Sequence, residues 1–392
     1  MERVFIVAAK RTPIGKFGGT LAQVRSADLG ATVIQSVLQQ GRLQADQIDQ
    51  VLMGNVLQAG QGQNPARQAA RQAGLPVTVP AITINDVCGS GLSSVNLAAS
   101  LIQSGQAQVV VAGGMESMSQ APYVLPQARF GYRMGDGQLK DTLLSDALVD
   151  ANGGFHMGIT AENVAKTDHI SRAMMDQYAL ESHQKAVAAQ VAGRFDDEIA
   201  PVKFTDAKGK VMQVQTDQAP RADTSLDKLA ALKPVYQQDG AVTAGNASGI
   251  NDGAAAVILV SESKLKELQL TPLAEWQAAS LVGLDPELMG LGTYYAVQKL
   301  LDDQHLTIDQ IDTFELNEAF AAQSLASMRR LQVDPSRVNR NGGALALGHP
   351  VGASGSRILV TLIYEMQRQH QKSGIASLCV GGGMGVAALI TR

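Results

Sequence analysis

Asp46-Gln47-Ile48-Asp49 recurs as Asp309-Gln310-Ile311-Asp312, so the motif opens at 46 and again at 309, an offset of 263. Each copy follows an amphipathic helical pattern, at 29–40 and 289–302, and precedes an apolar strand ending near an Asn. Working outward, Ser90-Gly91 returns as Ser354-Gly355, an offset of 264. Ala112-Gly113-Gly114-Met115 is answered by Gly381-Gly382-Gly383-Met384, an offset of 269. One match alone is chance; three in order at nearly one offset point to two related halves.

Each half reads as alternating strands and helices. In the first, Val4–Ala9, Gln50–Met53, Ala81–Val87 and Gln108–Ala112 read as strands, with helices at 27–40, 64–73 and 90–104. In the second, strands fall near 273–284, 312–316, 375–380 and 386–391, and helices near 292–302, 318–331 and 352–369. This alternation predicts an α/β fold with mostly parallel sheets covered by helices. Residues 119–249 have no counterpart in the second half. Three parts are therefore expected: an N-terminal half at 1–118 to which 250–271 returns, an inserted loop domain at 119–249, and a C-terminal half at 272–392. The insertion reads as helical over 159–193, with Thr160-Ala161-Glu162-Asn163 as a helix start and an amphipathic stretch from Ser171. A long insertion between two halves usually carries substrate contacts or an interface.

The bulk numbers narrow the function. At 392 residues, two or three subdomains are expected. A net charge of −4 gives nothing that favours nucleic acid. Two cysteines make no disulfide framework, and the six histidines include no His-x-x-x-His pair, so no metal site is expected. The apolar run within Met1–Lys10 is too short and too charged for a signal peptide, and no stretch reaches the ~18 apolar residues of a membrane span. Cytoplasm is the expected location. His169, His183, His305 and His370 fall in polar stretches and are expected to be exposed and inert. His156 differs, since His156-Met157-Gly158 lies beside a helix start.

Both cysteines sit in glycine-rich turns. Cys88 stands in Asn85-Asp86-Val87-Cys88-Gly89-Ser90-Gly91, between a strand and a helical pattern. A helix N-terminus favours thiolate over thiol, and the flanking glycines permit the tight turn of a nucleophile elbow. A neighbouring imidazole would complete the activation, and His349, in Gly348-His349-Pro350, is the natural candidate. Cys379 precedes Gly381-Gly382-Gly383. A thiol there can act as acid or base, because its unperturbed pKa of ~8.5 is easily moved. Backbone N–H groups of the Gly381–Gly383 turn and of Cys88 suit an oxyanion hole. Asn317, in Glu315-Leu316-Asn317-Glu318-Ala319-Phe320, can hold a water or donate to an oxyanion. The blander readings are a helix N-cap for Asn317 and a small core hydrophobe for each cysteine. The Gly381–Gly385 run is no dinucleotide loop, because the chain ends before a helix and second strand could follow.

Together, Asn85–Gly91, Gly113-Gly114-Met115-Glu116-Ser117-Met118-Ser119, His156-Met157-Gly158 and Thr243-Ala244-Gly245-Asn246-Ala247-Ser248-Gly249 give the chain a family likeness. Asn317-Glu318-Ala319-Phe320, Gly348-His349-Pro350 and Cys379–Gly383 complete it. The chain resembles the thiolases along essentially its whole length. The resemblance implies duplicated βαβαβαββ halves forming a layered α-β-α-β-α core, with an inserted loop domain. It implies that Cys88 takes an acyl group as a thioester and that Cys379 abstracts the α-proton of a second acetyl-CoA. His349 would activate Cys88 and, with a water held by Asn317, stabilise the enolate oxygen. The N–H groups of Cys88 and Gly381 would hold the thioester oxyanion. Ser248, Ala244, Arg221 and Met157 match positions lining the coenzyme A channel; His156, Leu148, Ala319 and Phe320 would shape the pocket around the acyl and pantetheine ends.

Within that family the motifs look most like short-chain acetyl-CoA acetyltransferases. The implied partners are acetyl-CoA, acetoacetyl-CoA and CoA, with no cofactor beyond these thioesters and no metal. A homo-oligomer, dimer or dimer of dimers, is implied too. The stretch 121–133 departs from the family pattern, with Pro126-Gln127-Ala128-Arg129-Phe130 in place of a more basic, glycine-rich run. A degradative 3-ketoacyl-CoA thiolase for longer chains stays open, as does a non-catalytic lipid-binding relative. A ketoacyl-carrier-protein synthase would lack a counterpart of Cys379.

Overall fold

The computed structural model describes residues 2–392. The first half contributes β1 (Val4–Arg11), α1 (Ser26–Gly41), β2 (Gln50–Gly54), α2 (Pro65–Gln72), β3 (Ala81–Ile84), α3 (Ser90–Gln103) and β4 (Val109–Ser117). The insertion contributes α4 (Met157–Thr167) and α5 (Arg172–Val191) beside short hairpins, and the chain returns as β5 (Asn251–Ser261). The second half follows with β6 (Ala274–Gly283), α6 (Gly292–Asp303), β7 (Thr313–Leu316), α7 (Ala321–Leu331), α8 (Ser354–Arg368), β8 (Ser373–Val380) and β9 (Met384–Thr391).

The strands run in the order β3-β2-β4-β5-β1 in the first half and β6-β9-β8-β7 in the second, joined edge to edge where Val4–Ile6 pairs with Ala274–Trp276. Val338 bridges β7 in parallel through Phe314, in the place β3 holds beside β2. Three apolar cores separate five layers. One lies between α1 and α2 and the first sheet (Leu29, Ile34, Val51, Ile258), and one between α6 and α7 and the second (Val297, Leu300, Phe314, Leu389). The third holds α3 and α8 between the two sheets through Leu92, Val95, Leu359 and Ile363. Burying both helices on both sides is what brings their N-termini to one place.

The repeated motif does the same job twice. Gln47 Oε1 accepts from the Gln44 N–H and Gln310 Oε1 from the Thr307 N–H, each at 2.7 Å, closing a one-turn helix. Asp49 Oδ2 accepts from the N–H groups of Gln108 and Val109, and Asp312 Oδ2 from those of Lys372 and Ser373. Each aspartate thus pins the start of its half's central strand.

Three expectations are corrected. The sheets are not mostly parallel: among the strands of the described residues, only β2 with β3, β2 with β4 and β7 with β8 form parallel ladders, beside isolated bridges such as Phe314 with Val338. The return strand β5 runs antiparallel to both β1 and β4, and the β8–β9 hairpin does the same in the second half. The glycine match at offset 269 is not a structural equivalence. Pairing of Gln50 with Val110 and of Thr313 with Gly374 sets 110 against 374, an offset of 264, which places Met115 opposite Cys379. Gly113 and Gly114 lie within β4, whereas Gly381–Gly383 is a turn. Finally, α4 begins at Met157 rather than Thr160, because the His156 ring supplies its cap: Nδ1 accepts from the Gly158 N–H at 3.0 Å.

The insertion is built into the second half. Val164, Ile170, Met175 and Tyr178 of its helical region share one core with α6 and α7. Glu318, directly after Asn317, accepts from Tyr178 Oη, Ser182 Oγ, Asn339 Nδ2 and the Leu345 N–H, tying α5 to the turn before His349.

Candidate active site

Cys88 sits on a strained turn between β3 and α3. Val87 has φ of +43°, a left-handed conformation that is costly for a β-branched residue. Asn85 Oδ1 accepts from the Val87 N–H, the Asp86 N–H donates to Ser90 Oγ, and Ser90 Oγ–H donates to the Val87 carbonyl. That set of local bonds holds the elbow and turns the thiol toward the second half. The Gly381 N–H is directed at the Cys88 thiol, as is Cys88's own N–H. Burial dominates nevertheless and pushes the thiol up to about 11, with Asp86 and Glu116 adding to the rise. Desolvation of this partly buried thiol thus opposes the thiolate-favouring dipole at α3.

His349 enters from the other half, just before α8. Its Nδ1 lies 2.5 Å from Ser354 Oγ, which is also 2.9 Å from the Pro350 carbonyl oxygen. With the hydroxyl proton on the Pro350 carbonyl, Nδ1 is the donor, and Nε2 is left unprotonated and free to act as a base. Burial, helped by the charge of Arg357, lowers the imidazole to about 4. The His349 N–H donates to Asn251 Oδ1, and Gly348, at φ +110°, has no room for a Cβ against Asn251. Glu116 fastens the same loop from β4, accepting from the Gly352 N–H and from Asn55, Val56 and Leu57. Sequence reasoning missed Ser354 and Glu116 as supports, although both stand in motifs it quoted.

Cys379, the penultimate residue of β8, is buried, with the Thr293 side chain within reach of its sulfur. Burial pushes its thiol well up, and the neighbouring Cys88 adds to that shift. Asn317 is not a helix cap, since α7 starts at Ala321. Its side chain is fully buried, and neither Oδ1 nor Nδ2 has a hydrogen-bond partner among the described residues.

Cys88, His349 and Cys379 line one cavity of about 240 Å³ together with His156, Met157, Leu148, Ser248, Ala319 and Phe320. Its apolar wall also includes Tyr236, Met289, Ile250 and Val351, which the sequence did not announce. Tyr236 stacks on His156 at 4.6 Å between ring centroids and meets Phe320 edge-on at 6.4 Å. Ala244 and Arg221 lie in an adjoining groove, with Lys16 and His183, that shares Gly249 and Ile250 with the thiol cavity. His183 is a further correction: it is buried, accepts from the Arg221 N–H through Nδ1, and is lowered to about 4 chiefly by burial. His169, His305 and His370 are exposed, each at φ near +53° just beyond a helix end.

This arrangement fits a family defined by sequence. Residues 4–263 match the thiolase N-terminal domain and residues 270–392 the thiolase C-terminal domain. Acetyl-CoA acetyltransferase of Cupriavidus necator is 53% identical over 392 residues, all of both chains, and that of Pseudomonas aeruginosa is equally similar. Among solved structures, the Bacillus anthracis acetyl-CoA acetyltransferase superposes with a TM-score of 0.98 and human mitochondrial 3-ketoacyl-CoA thiolase with 0.96. Each is 44% identical, and each match covers 100% of this chain and 99% of the other. The chain belongs to the thiolase family.

Proposed function

We propose that the protein is an acetyl-CoA C-acetyltransferase, joining two acetyl-CoA into acetoacetyl-CoA and CoA. The observation that carries this reading is the convergence of two thiols and one imidazole on one apolar cavity; the unpartnered buried amide of Asn317 lies just beyond β7, behind the lining. A Claisen step between thioesters needs a nucleophile, a base and two anion sites. Because Cys88 and His349 rest as a neutral pair, His349 Nε2 takes the thiol proton as sulfur attacks the first acetyl-CoA. The N–H groups of Cys88 and Gly381 hold the tetrahedral oxyanion. Collapse forms the Cys88 thioester, and the leaving CoA thiolate takes its proton from Cys379.

Cys379 is then the base for the second acetyl-CoA, and His349 is a protonated donor. Cys379 removes the α-proton, while His349 and a water on Asn317 hold the enolate oxygen. The carbanion attacks the Cys88 carbonyl, acetoacetyl-CoA departs, and the Cys88 thiolate recovers its proton from His349. Ser248, Met157, Ala244 and Arg221 would line the path of the coenzyme A arm. His156, Leu148, Ala319 and Phe320 would enclose the acyl and pantetheine ends. The substrates are the only coenzymes in this scheme.

The second reading is a degradative thiolase for longer chains, supported by the equal identity to the human 3-ketoacyl-CoA thiolase. Thiolysis of acetoacetyl-CoA beside a six- or eight-carbon 3-ketoacyl-CoA separates the two. Activity confined to acetoacetyl-CoA supports the acetyltransferase; comparable or greater activity on the longer chain moves the protein to the degradative class. We also infer a cytoplasmic homo-oligomer. No helix among the described residues is long and apolar enough to cross a membrane. The edge strand β3 exposes Ile82, with Val77 and Leu97 also exposed nearby in sequence, which suits pairing with a second copy.

A further inference from the structure

Twelve buried side-chain polar atoms lack a hydrogen-bond partner among the described residues, and eight of them belong to five residues. These are Asn317 Nδ2 and Oδ1, Glu315 Oε2, all three guanidinium nitrogens of Arg357, Glu198 Oε2 and Glu365 Oε1. All five residues are at most 2% exposed. Buried polar groups are nearly always satisfied, so such a concentration calls for a common cause.

The fold places these residues in one file. Glu315 and Asn317 are two apart on and just beyond β7, so they share its inner face, while Phe314 and Leu316 turn outward into the core under α6 and α7. On α8, Ser354, Arg357, Thr361 and Glu365 recur at helical spacing. Ser354 holds His349, and Thr361 Oγ1 donates to Glu198 Oε1. Arg357 Nη1 stands 3.8 Å from Glu315 Oε2, close enough for charge attraction but too far for a hydrogen bond. A guanidinium with every N–H unmet, facing carboxylate oxygens equally unmet, would be strongly unfavourable in a dry interior. Polar gaps of this kind hold ordered water that bonds to several groups at once.

We propose that Glu315 and Arg357 are positioning residues that hold, through ordered buried water, the water that Asn317 presents to the enolate oxygen. The inference rests on the acetyltransferase reading of the cavity and adds to it a support behind the second anion site. Arg357 supplies donors and a positive charge on the side away from substrate; Glu315 keeps that guanidinium oriented. Neither touches the reacting atoms. The charge of Arg357 also reaches His349, in keeping with its place one turn along α8 from Ser354.

Two measurements test this. A high-resolution crystal structure of the unmodified protein should show ordered water bonded to Arg357 and continuous with water on Asn317. A dry gap, a direct Arg357–Glu315 bidentate pair or a bound ion in that place overturns the proposal. The half-reactions of Arg357→Met, Arg357→Lys and Glu315→Gln provide the second test. In Arg357→Lys and Glu315→Gln, which leave the positive charge near His349 in place, acetylation of Cys88 by acetyl-CoA should stay within about twofold, because it uses the other anion site. Exchange of the acetyl-CoA α-proton with deuterated water and the Claisen step should both fall, roughly tenfold in Arg357→Met. That is less than the 10²–10³ of a donor in direct contact. Arg357→Lys, which keeps the charge, should fall between. Equal loss in both half-reactions, or loss in neither, contradicts the proposal. If Arg357→Met does not fold, Arg357→Lys and Glu315→Gln carry the same comparison. An unmodified protein that never acetylates Cys88 would instead refute the acetyltransferase reading, while the crystallographic water would still decide the positioning claim.

Discussion

The two halves share one frame and differ at the ends of its elements. By the register of the sheets, Met115 corresponds to Cys379, 264 apart, and Gly54 to Asn317, 263 apart; by the starts of α3 and α8 at Ser90 and Ser354, Cys88 corresponds to Gly352, also 264 apart. In every pair one half carries a reactive or polar group and the other carries a residue without one. The glycines of those pairs are where backbone from the opposite half closes in. A Cβ on Gly54 would stand 2.7 Å from the Gly352 carbonyl oxygen, and one on Gly352 would stand 3.0 Å from Asn55 Cα and 2.6 Å from the Glu116 side-chain Oε2. Duplication thus supplies two matching helix starts, and loss of side chains on one side lets them approach. The result is a single asymmetric cavity, with one thiol from the first half and the imidazole and the other thiol from the second.

Removing either thiol should break this division of labour in different ways. Cys88→Ser should abolish acetyl-enzyme formation and lower turnover by on the order of 10⁴-fold or more, read by acetoacetyl-CoA thiolysis. Cys379→Ser should still take the acetyl group at Cys88 but lose roughly 10²–10⁴-fold in the Claisen step. Wild-type synthesis in that variant would show that the base lies elsewhere.

The close approach of the halves gives the next effect. A Cβ on Gly114 would fall 2.0 Å from the Gly352 carbonyl oxygen, backbone against backbone. Gly114→Ala should destabilise the fold by about 3 kcal/mol in denaturant titration, with activity lost as the His349 loop shifts. An unchanged midpoint would mean that the halves are not so tightly apposed.

Two smaller effects probe the neutral resting pair. Without substrate, alkylation of Cys88 should be slow at neutral pH and climb toward about 11, with no plateau near pH 6–7. A neutral plateau would reveal a thiolate–imidazolium pair. His349 is lowered from 6.5 to about 4, so the unfolded chain binds this proton first as pH falls. Its contribution to stability is complete above about 6.5 and is lost toward 4, with a slope of up to about 1.4 kcal/mol per pH unit. His349→Asn should flatten that part of the stability profile, and an identical slope would place the histidine in a less buried state.

The helices α1, α3 and α8 and the strand β1 were legible because their signals are local: amphipathic spacing, β-branched runs and glycine at the turns. The meeting of Cys88, His349 and Cys379 on one cavity was legible because each stands in or beside a glycine-rich turn. The direction of β5 was not, because Asn251–Ser261 is a run of small apolar residues whose pairing depends on where a long insertion returns the chain. His183 looked exposed for want of any local sign that the Arg221 segment would fold over it. Glu315 and Arg357 carry no local signal of burial; the packing of α8 against β7 turns them inward. Tyr236 carried no motif, and its role as a wall comes from stacking on His156.

The central claim is that the first half carries the acyl group and the second half moves the proton. Incubation with isotope-labelled acetyl-CoA, followed by peptide mapping of the unmodified protein and of Cys88→Ser and Cys379→Ser, tests it directly. The label should appear on the Cys88 peptide in the unmodified protein and persist there in Cys379→Ser, with none in Cys88→Ser. Label on the Cys379 peptide, or retained in Cys88→Ser, would contradict the assignment.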